Sequence, residues 1–125
     1  MISKADSIKQ QRISRRLINE HLQLLSSKEE QLQYQRNVPH VNIITELVCC
    51  WFDDAYWPDD ETFCSGFSKE ELLAMAEFSG VFEAVLASMQ SEVADIAVYV
   101  ETPQWSQLLH AAHNTLIVLQ KHNDR

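Results

Sequence analysis

Apolar residues along this chain recur with the period of a helix and almost nowhere with that of a strand. Ile8, Ile13, Leu17, Ile18, Leu22 and Leu25 follow helical spacing and predict a first helix from about Lys4 to Leu25. Its first half is thinly apolar. Ser26 or Ser27 then caps a continuation that ends near Asn37, with Glu29 or Glu30 completing a capping box. Pro39 is placed in the first turn of the next helix, whose apolar stripe is Val41, Ile44, Leu47, Val48, Trp51 and Phe52. That helix must stop before Pro58, because proline pushes the residue ahead of it out of helical conformation. Residues 57–67 read as a loop.

The sharpest local signal is Ser68-Lys69-Glu70-Glu71. Ser68 caps the free N–H groups, Glu71 reaches back, and Phe67 stands in the staple position. Leu72, Met75, Phe78, Phe82, Val85, Leu86 and Met89 continue at helical spacing. The apolar run from Val93 to Val100 suits a strand or a helix; a short helix is predicted, since no second strand exists to pair with it. Thr102-Pro103 opens the last helix, whose buried face is Trp105, Leu108, Leu109, Ala112, Leu116 and Leu119. The expected fold is an all-α bundle of about five helices in one domain, residues 1–125.

Composition supports that picture. With 2 Gly and 3 Pro in 125 residues there is little to punctuate strands and turns. No run approaches the roughly 18 apolar residues that span a bilayer, and Met1 to Arg16 lacks the apolar centre of a signal peptide. The odd set Cys49, Cys50 and Cys64 suits a reducing cytoplasm and free, buried thiols. A cytoplasmic protein with no membrane attachment is expected.

Charge divides the chain. Residues 1–37 hold seven Lys/Arg against four Asp/Glu, whereas residues 38–125 hold three against fourteen, giving the net charge of −8. The sequence therefore reads as a basic N-terminal helical segment (1–37) followed by an acidic core bundle (38–125). Lys9, Arg12, Arg15 and Arg16 form a positive stripe on the first helix. The acidic remainder argues against nucleic acid; a homodimer formed through this helix is the favoured contact.

The most suggestive segment is Asp53-Asp54-Ala55-Tyr56-Trp57-Pro58-Asp59-Asp60-Glu61. Five carboxylates surround two large aromatics, the composition of a surface that anchors a protein partner by its rings and steers it by its charge. Asp53, Asp54, Tyr56, Trp57, Asp59, Asp60 and Glu61 are the candidate partner-binding residues, and the partner's surface should be basic. The Asp spacing, with no glycine between, does not fit a calcium-binding EF-hand loop. His110 and His113 lie one turn apart without a further metal ligand at a suitable spacing, and read as a partly exposed pair. Met75, Phe78, Phe82 and Met89 could line an apolar groove, but at helical spacing they read as core.

Glu92-Val93-Ala94-Asp95 places two carboxylates on one helix face. With Glu70-Glu71 it resembles the paired metal helices of the MazG-type nucleotide pyrophosphohydrolases, an all-α family. That resemblance implies magnesium held by Glu71, Glu92 and Asp95 and release of pyrophosphate from nucleoside triphosphates. Ala74 stands where the family's first helix carries its third acid. A broader pattern resembles small acidic helical bacterial proteins of the mobile gene-cassette or immunity type. It comprises Leu47, Trp51-Phe52-Asp53-Asp54, Pro58, Phe63, Phe67-Ser68-Lys69-Glu70-Glu71-Leu72, Phe78, Phe82 and Trp105, and it implies a fold without an activity. The leading expectation is thus a non-enzymatic interaction protein without a cofactor; the alternative is the magnesium-dependent pyrophosphohydrolase.

Overall fold

The computed structural model describes residues 3–89 and 96–123. They form an all-α bundle, with five helices of seven residues or more and two shorter ones among the described residues. These are α1 (Lys4–Leu25), α2 (Lys28–Asn37), α3 (Ile43–Cys49), α4 (Glu61–Ser65), α5 (Lys69–Ser88), α6 (Ile96–Tyr99) and α7 (Pro103–Asn123), with a π-helical segment, Cys50–Ala55, extending α3. No helix among the described residues is long and apolar enough to cross a membrane.

Side-chain caps set most of the boundaries. Ser27, Asn42, Asp60 and Ser68 each accept the N–H of the residue three positions on, and the Thr102 hydroxyl accepts that of Trp105. Each satisfies a donor that the helix itself leaves unpaired. At Ser68 both halves of the capping box are made, since the Ser68 N–H donates to Glu71 at 2.8 Å. Asn42 explains one departure from expectation. Pro39 lies in a turn and α3 begins only at Ile43, because the Asn42 cap fixes the start there. Gln35 holds that turn by donating to the carbonyls of Val38 and Val41 and accepting from the Ile43 N–H. A second departure is α4, a single capped turn inside the segment expected to be loop.

α7 packs along both α5 and α1, and α1 also lies against α4 and the π-helical segment. Ile18, Leu22 and Leu25 of α1 are buried with Met75, Phe78, Phe82 and Val85 of α5 and with Trp105, Leu108, Ala112 and Leu119 of α7. The second half of α1 is therefore core, although it belongs to the basic segment of the sequence. Met75, Phe78 and Phe82 are buried in the interior. Gln31, fully buried, donates to the Leu24 and Leu25 carbonyls and accepts the Trp105 indole N–H at 2.8 Å, tying α2 to α7.

The π-helical segment has a packing cause. On an α-helix, residues five apart lie about 140° apart around the axis. Here the Tyr56 N–H bonds to the Trp51 carbonyl at 2.9 Å, a five-residue ring that widens the turn. Trp51 and Tyr56 then share one face and stack, with centroids 5.2 Å apart and planes within 16°. Trp51 meets Phe78 edge-on at 4.9 Å and donates its indole N–H to Ser79 at 2.9 Å. Phe52, Phe82, Phe78, Trp51, Tyr56, Phe63 and Phe67 form one unbroken file of ring contacts.

That file ends on an ion pair. The Arg15 guanidinium lies 5.0 Å above the Phe67 ring and grips Glu71 with both ends, at 3.0 and 2.7 Å. It also donates to the Gly66 carbonyl at 2.8 Å. Glu71 is 1% exposed and Arg15 22%. Beside them α1 passes so close that a Cβ on Gly66 would stand 3.1 Å from the Gln11 side chain, and Gln11 donates to Ser65 at 2.8 Å. Removing one partner of a buried pair costs about 3–5 kcal/mol, chiefly because the other charge is left buried without compensation. Arg15→Ala should fall near the lower bound, given the partial exposure of Arg15, and Arg15→Lys should lose less. Urea denaturation beside an exposed control, Arg12→Ala, checks this: a midpoint no lower for Arg15→Ala than for the control would show that the pair does not hold the fold.

Candidate functional site

The acidic-aromatic segment spans three elements. Asp53 and Asp54 lie on the π-helical segment, Trp57 to Asp59 in the connection after it, and Asp60 and Glu61 at the start of α4. All five aspartate and glutamate positions after Phe52 up to Glu61 are exposed. The two aromatics part company. Tyr56 is 9% exposed and stacked on Trp51, so it belongs to the core and cannot anchor a partner at the surface. Trp57 is 50% exposed.

Trp57 is nonetheless held in place. Its indole N–H donates to the Asp54 carbonyl at 3.0 Å, and its own carbonyl accepts the Asp60 N–H at 3.1 Å. The Cys64 thiol donates to the Pro58 carbonyl at 3.2 Å, and Asp60 caps α4 through the Phe63 N–H at 2.9 Å. These bonds fix the connection before any partner arrives. Trp57 thus stands at the rim of an open groove of about 350 Å³, lined also by Asp60, Thr62 and Phe63 on one side and by Gln10 and Ser14 of α1 on the other. Asp60 therefore has two duties, as helix cap and as groove wall.

His21, half-buried on α1, lies within electrostatic reach of Asp54. Burial lowers the pKa of its imidazole, while Glu20 and Asp54 pull it partly back. Cys50, one turn before Asp54, has its thiol pKa raised by burial and further by Asp54, Glu46 and Cys49. The thiol is kept protonated, which opposes a nucleophilic role. Cys49 is exposed, contrary to the expectation of buried thiols, because it sits on the outer face of α3. The Tyr56 hydroxyl is pushed up by burial, opposed by a hydrogen bond with Ser79.

The carboxylates of the magnesium alternative divide. Glu71 is occupied by Arg15 and by the Ser68 cap. Glu92 and Asp95 lie outside the described residues. Among the described residues no group of three His, Cys, Asp or Glu side chains is placed to hold a metal ion. His110 and His113 are both exposed on α7. Nothing local in the sequence signals the Arg15–Glu71 pair or the inward turn of Tyr56; the only hint was a carboxylate at the third position after a capping serine.

The lowered His21 value fixes the sign of a pH effect. The folded state favours neutral imidazole, so the stability that His21 contributes is complete above its unfolded pKa of about 6.5. It is lost as the pH falls through the lower folded value. The urea midpoint should therefore drop on acidification from about pH 7.5 to about pH 5 by more in the wild type than in His21→Gln. Equal slopes for the two proteins would contradict this. For Tyr56 the raised value acts at the other end: its contribution holds below about pH 10 and fades above it.

Comparison with protein-family models, with characterised proteins and with solved structures finds no match to this chain.

Proposed function

We propose that this chain is a non-enzymatic interaction module, of the immunity or antitoxin kind, which covers a basic surface on its partner with the face around Trp57. The observation that carries the reading is a half-exposed tryptophan, braced by the Asp54 carbonyl, at the rim of a groove and set among Asp53, Asp54, Asp59, Asp60 and Glu61. A large exposed ring that is already immobilised loses little entropy on binding. Its face attracts a lysine or arginine side chain by cation–π interaction, and the surrounding carboxylates draw that side chain in. Tyr56 has no part in the contact. The pyrophosphohydrolase reading gains nothing comparable, because the carboxylate it needs from Glu71 is spent on Arg15.

Decalysine serves as a probe of this face. It should perturb Trp57 fluorescence at low ionic strength and release at about 1 M salt, where charges are screened beyond about 3 Å. Trp51 and Trp105 are buried and report little of the surface. Asp53→Lys/Asp59→Lys/Glu61→Lys should abolish the response, and Trp57→Ala should weaken binding measured by calorimetry. Asp60 is spared because its loss would uncap α4. Decalysine binding that survives the triple substitution at low salt would sink the proposal.

A further inference from the structure

Ser14, Gln31, Glu71, Ser79 and Thr115 are buried. All but Ser14 have partners for their side chains. Gln31 and Ser79 accept the indole N–H groups of Trp105 and Trp51, Glu71 is gripped by Arg15, and the Thr115 hydroxyl donates to the Ala111 carbonyl. Ser14 is 7% exposed, and among the described residues its hydroxyl makes no hydrogen bond. A buried hydroxyl without a partner is costly and calls for a cause. Every fully enclosed side-chain oxygen and nitrogen among the described residues has a partner. The Ser14 hydroxyl is therefore not sealed off: it opens into the groove that Ser14 lines beside Trp57.

The other groups in that groove agree on a ligand type. Asp60 caps α4 through Oδ1, which leaves Oδ2 for a ligand. Thr62 adds a hydroxyl beside it, and Gln10 adds an amide oxygen beside Ser14. Acceptors thus stand on both walls, one built by α1 and one by α4. Among the described residues no basic side chain lines the space between them. Trp57 borders it with a ring whose direction is fixed by the bond to the Asp54 carbonyl. A volume of about 350 Å³ is at the small end of ligand sites, which run from about 300 to 1,000 Å³. It suits one side chain better than a length of peptide.

We infer that this groove is the receptor for a single arginine side chain of the partner, with the guanidinium bridging Asp60 and Ser14 beside the Trp57 ring. The inference rests on the preceding reading of the Trp57 face as a site for basic groups, and it narrows that reading to guanidinium. The carboxylates at and around the groove require a cation. The division of acceptors between two walls selects among cations. A guanidinium is planar and sends five N–H donors outward in its plane, so it reaches both walls at once and leaves a flat face for the indole. The ammonium of lysine gathers three donors at one strongly hydrated point and presents no such face. A guanidinium N–H also gives the Ser14 hydroxyl the partner that folding leaves it without.

Titration of the full chain with N-acetylarginine amide, N-acetyllysine amide and N-acetylcitrulline amide at matched ionic strength tests this, read by NMR at the Trp57 indole N–H. The arginine compound should bind about fivefold more tightly than the lysine compound. The citrulline compound, which keeps the shape and loses the charge, should bind more weakly than either. Ser14→Ala should abolish the preference for arginine. Its urea midpoint should not fall, because the hydroxyl makes no bond in the fold and alanine favours the helix. Asp60→Asn keeps an oxygen for the Phe63 N–H, and with it the cap on α4, but should remove arginine binding. Equal affinities for arginine and lysine, no response to arginine, or a preference that survives Ser14→Ala overturns the inference. Decalysine separates the two levels. If it still binds in a Trp57-dependent way, the arginine receptor alone is lost; if it does not bind, the reading of the face falls as well.

Discussion

Glu71 carries a carboxylate into an interior where it is almost wholly removed from water, and that is tolerable because Arg15 meets it with both ends of its guanidinium. Desolvating an isolated carboxylate is prohibitively costly, so the position of α5 becomes conditional on that of α1. Arginine suits the task in a way lysine does not, since its planar fork spans two oxygens and leaves a flat face to lie on a ring. All of this is used: the fork grips Glu71, a further N–H reaches the Gly66 carbonyl, and the plane covers Phe67. Glu71 also closes the cap on Ser68. One pair thereby fixes the register of α1 against α5, the course of the chain at Gly66 and the start of the longest acidic helix.

The parts of this fold legible in the sequence are those determined by residues a few positions apart. Ser27, Ser68 and Thr102 act on N–H groups within their own turn, and the helices they begin could be located from those residues alone. Where two local signals compete, the reading slips. Pro39 was a credible first-turn residue, yet Asn42 supplies an actual acceptor and the helix begins with it. Partners distant in sequence are a different matter. Arg15 differs from Lys9, Arg12 and Arg16 only in the angle at which it leaves α1, and that angle has meaning only once α5 is in place. Read from composition, all four belonged to one basic stripe.

Tyr56 and Trp57 show the same limit at the site. Adjacent, similar in bulk and surrounded by the same acids, they look interchangeable in sequence. The difference comes from the five-residue turn, which rotates Tyr56 onto Trp51 and leaves Trp57 outside. A periodicity of 3.6 residues contains no such turn, so nothing in the pattern separates the two rings. The consequence is mechanical as well as positional. Trp57 leans on the Asp54 carbonyl, Asp54 belongs to the widened turn, and that turn is anchored through Trp51 to Ser79 of α5. The exposed ring is thus connected to the core by a short series of bonds, which is what gives a surface residue a defined direction.

α1 combines two kinds of positive charge whose physics is opposite. The charge on Arg15 is compensated internally, weakly screened by salt and indispensable to packing. Those on Lys9, Arg12 and Arg16 are exposed, screened within a Debye length and without a role in the core. Folding has no use for the outer three on a chain that is otherwise strongly acidic, apart from lowering its net charge. At about 100° per residue they leave α1 well round the helix from Gln10 and Ser14, the positions that wall the groove Trp57 overlooks. The potential in that groove is therefore set by the carboxylates around Trp57, while the positive stripe faces solvent on another side of α1.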